Sequence, residues 1–257
     1  MNWFYDIPTI WSLLIFVIFI VAVSLLGLFL TRLLPIKDRD TNEHNNFVGI
    51  FITVISVFLG IILTFIIVGV LNNYNDAEVD SDSEAYTLYI LYQTVAVLPG
   101  TENTQQLIID YLNYIIDEEY PSLNGGGNPP RVTQITDDLR AAVLGFIPTT
   151  EQEIVLYQQT IILLKEAGEL RVKRLAEANN APGSLLTLVT VIDSVLLLIM
   201  CWLLYAWYPI HIIGTIIVGI YVGSALYISI ILAEPFRGSS GLTASPFQLS
   251  LSSILEG

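Results

Sequence analysis

Residues 47–71 read FVGIFITVISVFLGIILTFIIVGVL and contain no charged side chain. About 20 apolar residues in a helix are enough to cross the hydrocarbon core of a bilayer, so this stretch predicts a transmembrane helix. Residues 11–33, 185–208 and 210–232 form three further apolar stretches of sufficient length. The sequence therefore predicts an all-α integral membrane protein with four transmembrane helices, and the lipid bilayer as its first partner.

The composition supports a membrane protein and argues against an enzyme. Hydrophobic residues make up 54% of the 257 residues and charged residues only 13%, whereas soluble domains contain about 45–50% apolar residues. The single cysteine, Cys201, excludes an intrachain disulfide, and His44 and His211 are isolated, so no metal site is expected. The sequence contains no recognisable nucleophile–base pattern or cofactor motif. We therefore expect no catalytic residue and no cofactor.

The polar segment between the second and third spans is strongly acidic. Residues 72–184 hold 17 acidic and six basic side chains, and the whole chain has a net charge of -14. Such a surface repels nucleic acid and attracts cations. The predicted organisation is residues 1–71 as transmembrane helices 1 and 2, 72–184 as a helical extramembrane domain, 185–233 as transmembrane helices 3 and 4, and 234–257 as a C-terminal tail.

Helix start and stop signals divide the extramembrane domain. Residues 72–98 are predicted to continue the second span as a helix, which Pro99-Gly100 ends. Further helices are predicted over residues 101–120, 133–147 and 150–179, and the last begins with a capping box of Thr150 and Glu153. The run NGGGNPP at 124–130 predicts a loop. Apolar residues at helical spacing within these segments are typical of a packed helical bundle.

The second span carries a stripe of small and hydroxylated residues. Gly49, Thr53, Ser56, Gly60 and Thr64 recur at intervals of three or four and therefore share one face of a helix. One interpretation is close packing against another helix, for which membrane proteins commonly use small residues. The other is a pore-lining face. In that case adjacent apolar side chains supply a constriction, and the predicted pore-lining residues are Thr53, Ser56, Val57, Gly60, Ile61 and Thr64.

Acidic residues follow the second span directly. Asp76, Asp80 and Glu84 share a face if the helix continues, and no basic residue lies among them. These side chains are either a solvated helix face or, around a symmetric pore, rings of negative charge at its mouth. A calcium-binding EF-hand loop is not expected, because the segment lacks the central glycine and the terminal glutamate of that loop.

The last two spans contain polar and small residues with predicted structural consequences. Asp193 lies within the third span, where an ionised carboxylate is costly unless it faces the interior of the bundle. With the hydroxyl of Ser194 beside it, Asp193 is predicted to serve either structural hydrogen bonding or an ion or proton site. In the fourth span Thr215, Gly219 and Gly223 recur at intervals of four, which predicts close contact with another helix.

Three short motifs, together with the order of the spans, resemble one known family. The sequence EPFRG at 234–238 stands at the end of the last span, SVFLG at 56–60 lies in the second, and NY follows it at 73–74. This combination resembles the bestrophin-like domain family of prokaryotic and plant membrane proteins. Residues 84–99 and 174–182 are also similar to that family, so the resemblance covers nearly the whole chain.

The resemblance implies an ion channel. Bestrophins are pentameric channels, mostly for anions, in which the second helix forms an apolar neck at four-residue spacing. The matching positions here are Thr53, Val57 and Ile61, although Thr53 is polar and neither of the other two is aromatic. The resemblance also implies a homo-oligomer, inorganic ions as partners, a cytoplasmic domain at 72–184, and a prokaryotic inner or other internal membrane. The sequence lacks the acidic calcium-binding stretch after the last span, so calcium gating is not implied.

Two other functions remain open at the level of the sequence. A non-conducting, membrane-anchored scaffold or sensor would use the acidic helical domain to bind partners. A secondary transporter has weaker support, because the sequence shows neither inverted repeats nor broken helices. For a channel, charge and family give opposite expectations: acidic rings enrich cations, whereas the relatives mostly pass anions.

Overall fold

The computed structural model describes residues 7–33, 41–127, 133–179, 184–204 and 208–256, and within these ranges the regular secondary structure is entirely helical. A π-helical turn, Ile115–Glu119, and a 3-10 turn, Gly238–Ser240, accompany the α-helices. The α-helices are α1 Thr9–Leu33, α2 Thr41–Ala96, α3 Glu102–Tyr114, α4 Tyr120–Asn124, α5 Thr133–Leu144, α6 Glu151–Asn179, α7 Ser184–Leu203, α8 Tyr208–Ile231 and α9 Ser245–Glu256.

Three of these helices are long and apolar enough to cross a membrane: α1, residues Asn42–Ala96 of α2, and residues Pro209–Ile231 of α8. The predicted third span corresponds to α7, whose described apolar part, Thr187–Leu203, is shorter. Residues 205–207, at the end of the predicted span, lie outside the described residues. The all-helical fold is confirmed, whereas α7 as a span, and with it the count of four spans, stays a prediction.

The chain divides into two compact units. The first comprises the described residues of 3–72 and 180–233, and the second those of 73–179 and 234–257. Residues 234–257 were expected to be a separate tail, but they belong to the second unit. Phe236 and Phe247 explain the difference, because both rings are buried against Tyr120 in the apolar core of that unit.

In the first unit, small residues of α8 hold α1 at close range. A methyl group added at Gly219 would lie 3.1 Å from Val21 Cγ2, and one at Gly223 would lie 3.2 Å from the Val17 Cα. Any larger side chain at either position would separate the helices. The hydroxyls of Ser12 and Tyr227 add a buried hydrogen bond of 2.6 Å between the same pair of helices. The predicted helix contact of this face is confirmed.

In the second unit, helix capping and a buried ion cluster fix the long helix α6. At its start the Glu153 amide donates to Thr150 Oγ1 at 3.2 Å, and the Thr150 amide donates to Glu153 Oε2 at 3.3 Å, which confirms the predicted capping box. Further along, the guanidinium of Arg174 is fully buried. Its Nε donates to Glu84 Oε2 at 2.7 Å, and its Nη2 donates to a carboxylate oxygen of Glu119.

The surroundings of Arg174 complete this buried ion cluster. Arg171 donates to the second oxygen of Glu119, with Nη2 and Oε2 2.5 Å apart. The rings of Tyr120 and Phe247 each lie 5.3 Å from the guanidinium carbon of Arg174, within the range of a cation–π interaction. Burial raises the pKa of the Glu84 carboxyl, while the positive charge of Arg174 lowers it. The cluster therefore joins α2, the π-helical turn, α6 and α9.

Replacement of Arg174 by methionine tests the energetic importance of this cluster. Arg174→Met leaves the Glu84 carboxylate buried without its charged partner, and we expect the free energy of unfolding to fall by about 3–5 kcal/mol. The control is Lys165→Met, because Lys165 and Glu169 form an exposed pair at 3.4 Å, and such pairs contribute about 0–1 kcal/mol. Thermal unfolding of the purified protein in detergent measures both. Equal losses in the two variants would contradict a structural role for the cluster.

Candidate functional site

One face of the membrane-spanning part of α2 packs against its own unit. Leu59 and Leu63 form a buried cluster with α7 and α8 residues Leu197, Cys201 and Val222. Further along, a second cluster is built on Ile62, Ile66 and Val70. These buried positions recur at intervals of three and four, so they form one continuous stripe along α2.

The predicted pore-lining residues lie on the other side of α2. In the isolated chain Val57 is 58% exposed and Ile61 is 51% exposed. Thr53, Ser56 and Thr64 are also exposed, and Gly60 is half-buried.

The glycines of this face do not seat any helix that the structure describes in the same chain. A methyl group added at Gly49 or Gly60 would meet no described atom within 4 Å, in contrast to Gly219 on α8. Among the described residues this stripe therefore does not pack closely against another helix of the same chain, so packing against a helix of a second subunit and a pore-lining face both remain predictions. The face is available to a second subunit, to lipid or to a water-filled lumen.

Two hydroxyls on this face already have hydrogen-bond acceptors. Thr53 Oγ1 donates to the Gly49 carbonyl at 2.9 Å, and Thr64 Oγ1 donates to the Gly60 carbonyl at 2.8 Å. Such bonds within a helix satisfy the donor and leave the oxygen lone pairs pointing outward. Thr53 and Thr64 therefore offer acceptor oxygens to a passing ion or water, while their own hydroxyl donors are satisfied.

Two of the three residues of the predicted acidic ring are accessible in the single chain. Asp76 is exposed and Asp80 is half-buried, but the Glu84 side chain is fully buried in the ion cluster with Arg174. A step of four residues turns a helix about 40° beyond a full turn, so the third residue of the series rotates into the packed face. The inclusion of Glu84 in a ring at a pore mouth is therefore wrong, and Asp76 and Asp80 remain.

The structure adds Glu177 of α6 to this acidic group. Burial, followed by the charge of Asp80 and that of Asp76, raises the pKa of the Glu177 carboxyl to about 7. Its buried Oε2 has no hydrogen-bond partner among the described residues, and Asn73 Nδ2 donates to the Glu177 backbone carbonyl at 3.3 Å. In the sequence Glu177 was one of 17 acids, and no local spacing marked it, because Asp80 is almost 100 positions away.

Asp193 is buried within α7, with 9% of the residue exposed. Its Oδ2 and the hydroxyl of Ser194 are both buried without a hydrogen-bond partner in the described part of the chain. The predicted structural hydrogen bonding is thus not seen for that oxygen. Among the residues that the structure describes, no group of three or more His, Cys, Asp or Glu side chains is placed to hold a metal ion.

The match to a family model covers most of the chain. Residues 18–247 match the Bestrophin-like domain. The chain belongs to the bestrophin-like family. No curated protein sequence matches the chain significantly. Membership of the family is therefore shown by the domain match alone.

Solved structures have the same bestrophin-like fold at low sequence identity. A variant of a bacterial bestrophin homologue from Klebsiella pneumoniae is 14% identical, with a TM-score of 0.64, over 93% of this chain and 98% of that one. A second variant of that homologue is 13% identical, with a TM-score of 0.65, over 98% of both chains. A structure described only as a membrane protein is 14% identical, with a TM-score of 0.65, over 93% of this chain and 97% of that one.

The raised pKa of Glu177 predicts a pH dependence of stability in this bestrophin-like chain. Between about pH 4.5 and 7 the folded protein retains a proton that the unfolded chain releases, so the free energy of unfolding falls as the pH rises through this range. We expect Glu177→Gln to flatten that fall and to raise the melting temperature relative to wild type at about pH 8.

The measurement is thermal unfolding in detergent between about pH 5 and pH 8. Glu166→Gln is the control, because Glu166 is an exposed glutamate on the same helix, and it should keep the wild-type slope. Parallel profiles for wild type and Glu177→Gln would show that Glu177 titrates at an ordinary pKa.

Proposed function

We propose that this protein is an oligomeric, passive ion channel of bestrophin-like type, with the pore lined by the membrane-spanning part of α2. Membership of the family and the similarity of fold to a bacterial bestrophin homologue support an ion-channel function. The observation that carries the proposal is the free face of α2. On that face Val57 and Ile61 are each more than half exposed, and a methyl group added at Gly49 or Gly60 would meet no described atom within 4 Å.

The proposed topology has four spans. Helix α7, Ser184–Leu203, has 20 residues and so measures about 30 Å, which matches the hydrocarbon core of a bilayer. Four spans place residues 72–184 on the same side of the membrane as both termini. By analogy with bestrophins we assign this side to the cytoplasm, in a prokaryotic inner or other internal membrane.

The proposed assembly is a homo-oligomer around the α2 helices, with five subunits by analogy with bestrophins. An exposed apolar stripe along the later part of α2 and just past its end supports self-association, because Val79, Tyr86 and Val97 are each at least 60% exposed. The interval of seven residues places Val79 and Tyr86 on one face of α2. Soluble surfaces rarely leave such a stripe uncovered.

The proposed pore contains two elements with different electrostatics. Asp76 and Asp80, repeated in each subunit, concentrate negative potential near the end of the α2 span and enrich cations there. The neck at Thr53, Val57 and Ile61 is uncharged, and an apolar constriction selects by the cost of ion dehydration. The reversal potential under a salt gradient measures which element determines the selectivity.

The experiment is reconstitution in planar bilayers with wild type and two neck variants. Val57→Ala and Ile61→Ala shorten apolar side chains at the constriction, and we expect each to raise the single-channel conductance at least about twofold because the neck wets more easily. Ile18→Ala is the matched control, since Ile18 is an equally apolar, 65% exposed side chain on α1, and it should leave the conductance unchanged.

Two results would contradict the proposed pore. Wild-type protein that stays silent over a wide range of voltages and salts would favour a non-conducting scaffold. Currents that Ile18→Ala changes as much as Val57→Ala and Ile61→Ala would place the pore outside the α2 face.

A further inference from the structure

The second unit contains an open, mainly apolar cavity between α5 and α6. Its volume is about 710 Å³, within the range of about 300–1,000 Å³ that is typical of small-molecule sites. Leu88 of α2 and Tyr111 of α3 contribute to it, and aliphatic side chains of α5 and α6, such as Leu139, Leu164 and Val172, line most of the remainder. The name α5–α6 cavity is used for this site below.

The charges at the α5–α6 cavity are opposite to those of the domain around it. Arg140, Lys165 and Lys173 all line the cavity and are exposed. The segment 72–184 has only six basic residues against 17 acidic ones. Of the other three cations, Arg171 and Arg174 belong to the buried ion cluster, and the third lies outside the described residues.

Thus every described cation of this segment that is not in the ion cluster lines the α5–α6 cavity. Glu169 is the acidic residue in the lining, and it pairs with Lys165 at 3.4 Å. Arg140 and Lys173 therefore leave the cavity with a net positive charge. A ligand that suits it must be anionic at one end and apolar over most of its surface.

We propose that the α5–α6 cavity binds a single long-chain carboxylate, a free fatty acid. The aliphatic lining removes the hydrocarbon tail from water, which favours binding because apolar surface is buried. Arg140 and Lys173 bind the carboxylate by charge-assisted hydrogen bonds. A small inorganic anion would leave the apolar lining unfilled, and a cationic amphiphile would be repelled by the net positive charge of the lining. The proposal does not depend on ion conduction.

Gly168 provides a direct way to block the site. It lies in the lining on α6, and a methyl group added there would meet no described atom within 4 Å. A large side chain at position 168 can therefore enter the cavity without displacing the backbone. Gly168→Trp should fill the α5–α6 cavity while the helix keeps its fold, since tryptophan has a higher helix propensity than glycine.

The test uses the full chain in phosphatidylcholine nanodiscs and a fluorescent fatty acid, 11-(dansylamino)undecanoic acid, with empty nanodiscs subtracted. We expect saturable binding that palmitate displaces and that its methyl ester and hexadecyltrimethylammonium do not. Gly168→Trp should abolish binding, and the triple variant Arg140→Gln, Lys165→Gln, Lys173→Gln should weaken it at least about tenfold.

Two controls separate the site from general effects. The triple variant Gln152→Glu, Gln158→Glu, Gln159→Glu makes the net charge more negative by three units, as the replacement of the three basic residues does. Its substitutions are at exposed positions of α6 outside the lining, and it should bind the probe with an affinity within about twofold of wild type. Val155→Trp places the same bulky side chain on an exposed position of α6 outside the cavity, and it should bind normally.

Three outcomes would overturn the proposal. The first is the absence of saturable probe binding to wild type. The second is probe binding that is unchanged both in Gly168→Trp and in the triple variant Arg140→Gln, Lys165→Gln, Lys173→Gln. The third combines two results: wild type binds no probe, and the native mass of Gly168→Trp is smaller than that of wild type by one or more subunits. The α5–α6 cavity would then be a contact between copies of this chain.

Discussion

Helix α2 is one uninterrupted helix of 56 residues, and its continuous backbone hydrogen bonding fixes the direction of every side chain along it. A residue advances about 100° around the axis, so the buried stripe through Leu59 and Ile66 determines what the opposite side presents. In the hydrocarbon core of a bilayer, the backbone N–H and C=O groups must be hydrogen-bonded within the protein. Only the side chains therefore distinguish one face of α2 from the other. The free face of small, hydroxylated and apolar residues follows from that geometry.

The same helix contributes to the second unit, where charge rather than apolar packing is the main constraint. Arg174 is buried with two carboxylates, so removal of any partner leaves an uncompensated charge in a medium of low dielectric constant. This requirement explains why Glu84 faces inward while Asp76, eight residues earlier, faces solvent. It also explains why Phe247 of α9 lies over the guanidinium, so that the C-terminal residues form part of the core.

Local sequence signals predicted much of this structure because the interactions behind them are local. The apolar runs predicted α1, α2 and α8, and Thr150 with Glu153 predicted the start of α6 within one residue. Glycines 219 and 223 predicted a close helix contact, since only small residues allow one. By contrast, no local pattern marks the Glu84–Arg174 pair, whose members are 90 residues apart. The position of Glu177 beside Asp80 and the basic lining of the α5–α6 cavity likewise arise only after the chain folds.

The measurement that tests the central claim most directly is the accessibility of the α2 face in reconstituted protein. Single cysteines are introduced at the neck by Thr53→Cys, Val57→Cys and Ile61→Cys in a Cys201→Ser background, and at the packed face by Leu59→Cys. A small, charged, membrane-impermeant thiol reagent should modify the three neck positions and block the current, and it should leave Leu59→Cys unmodified. If all three neck cysteines are unreactive while cysteines on another helix react and block the current, the pore lies elsewhere and the free face of α2 contacts lipid or a neighbouring subunit.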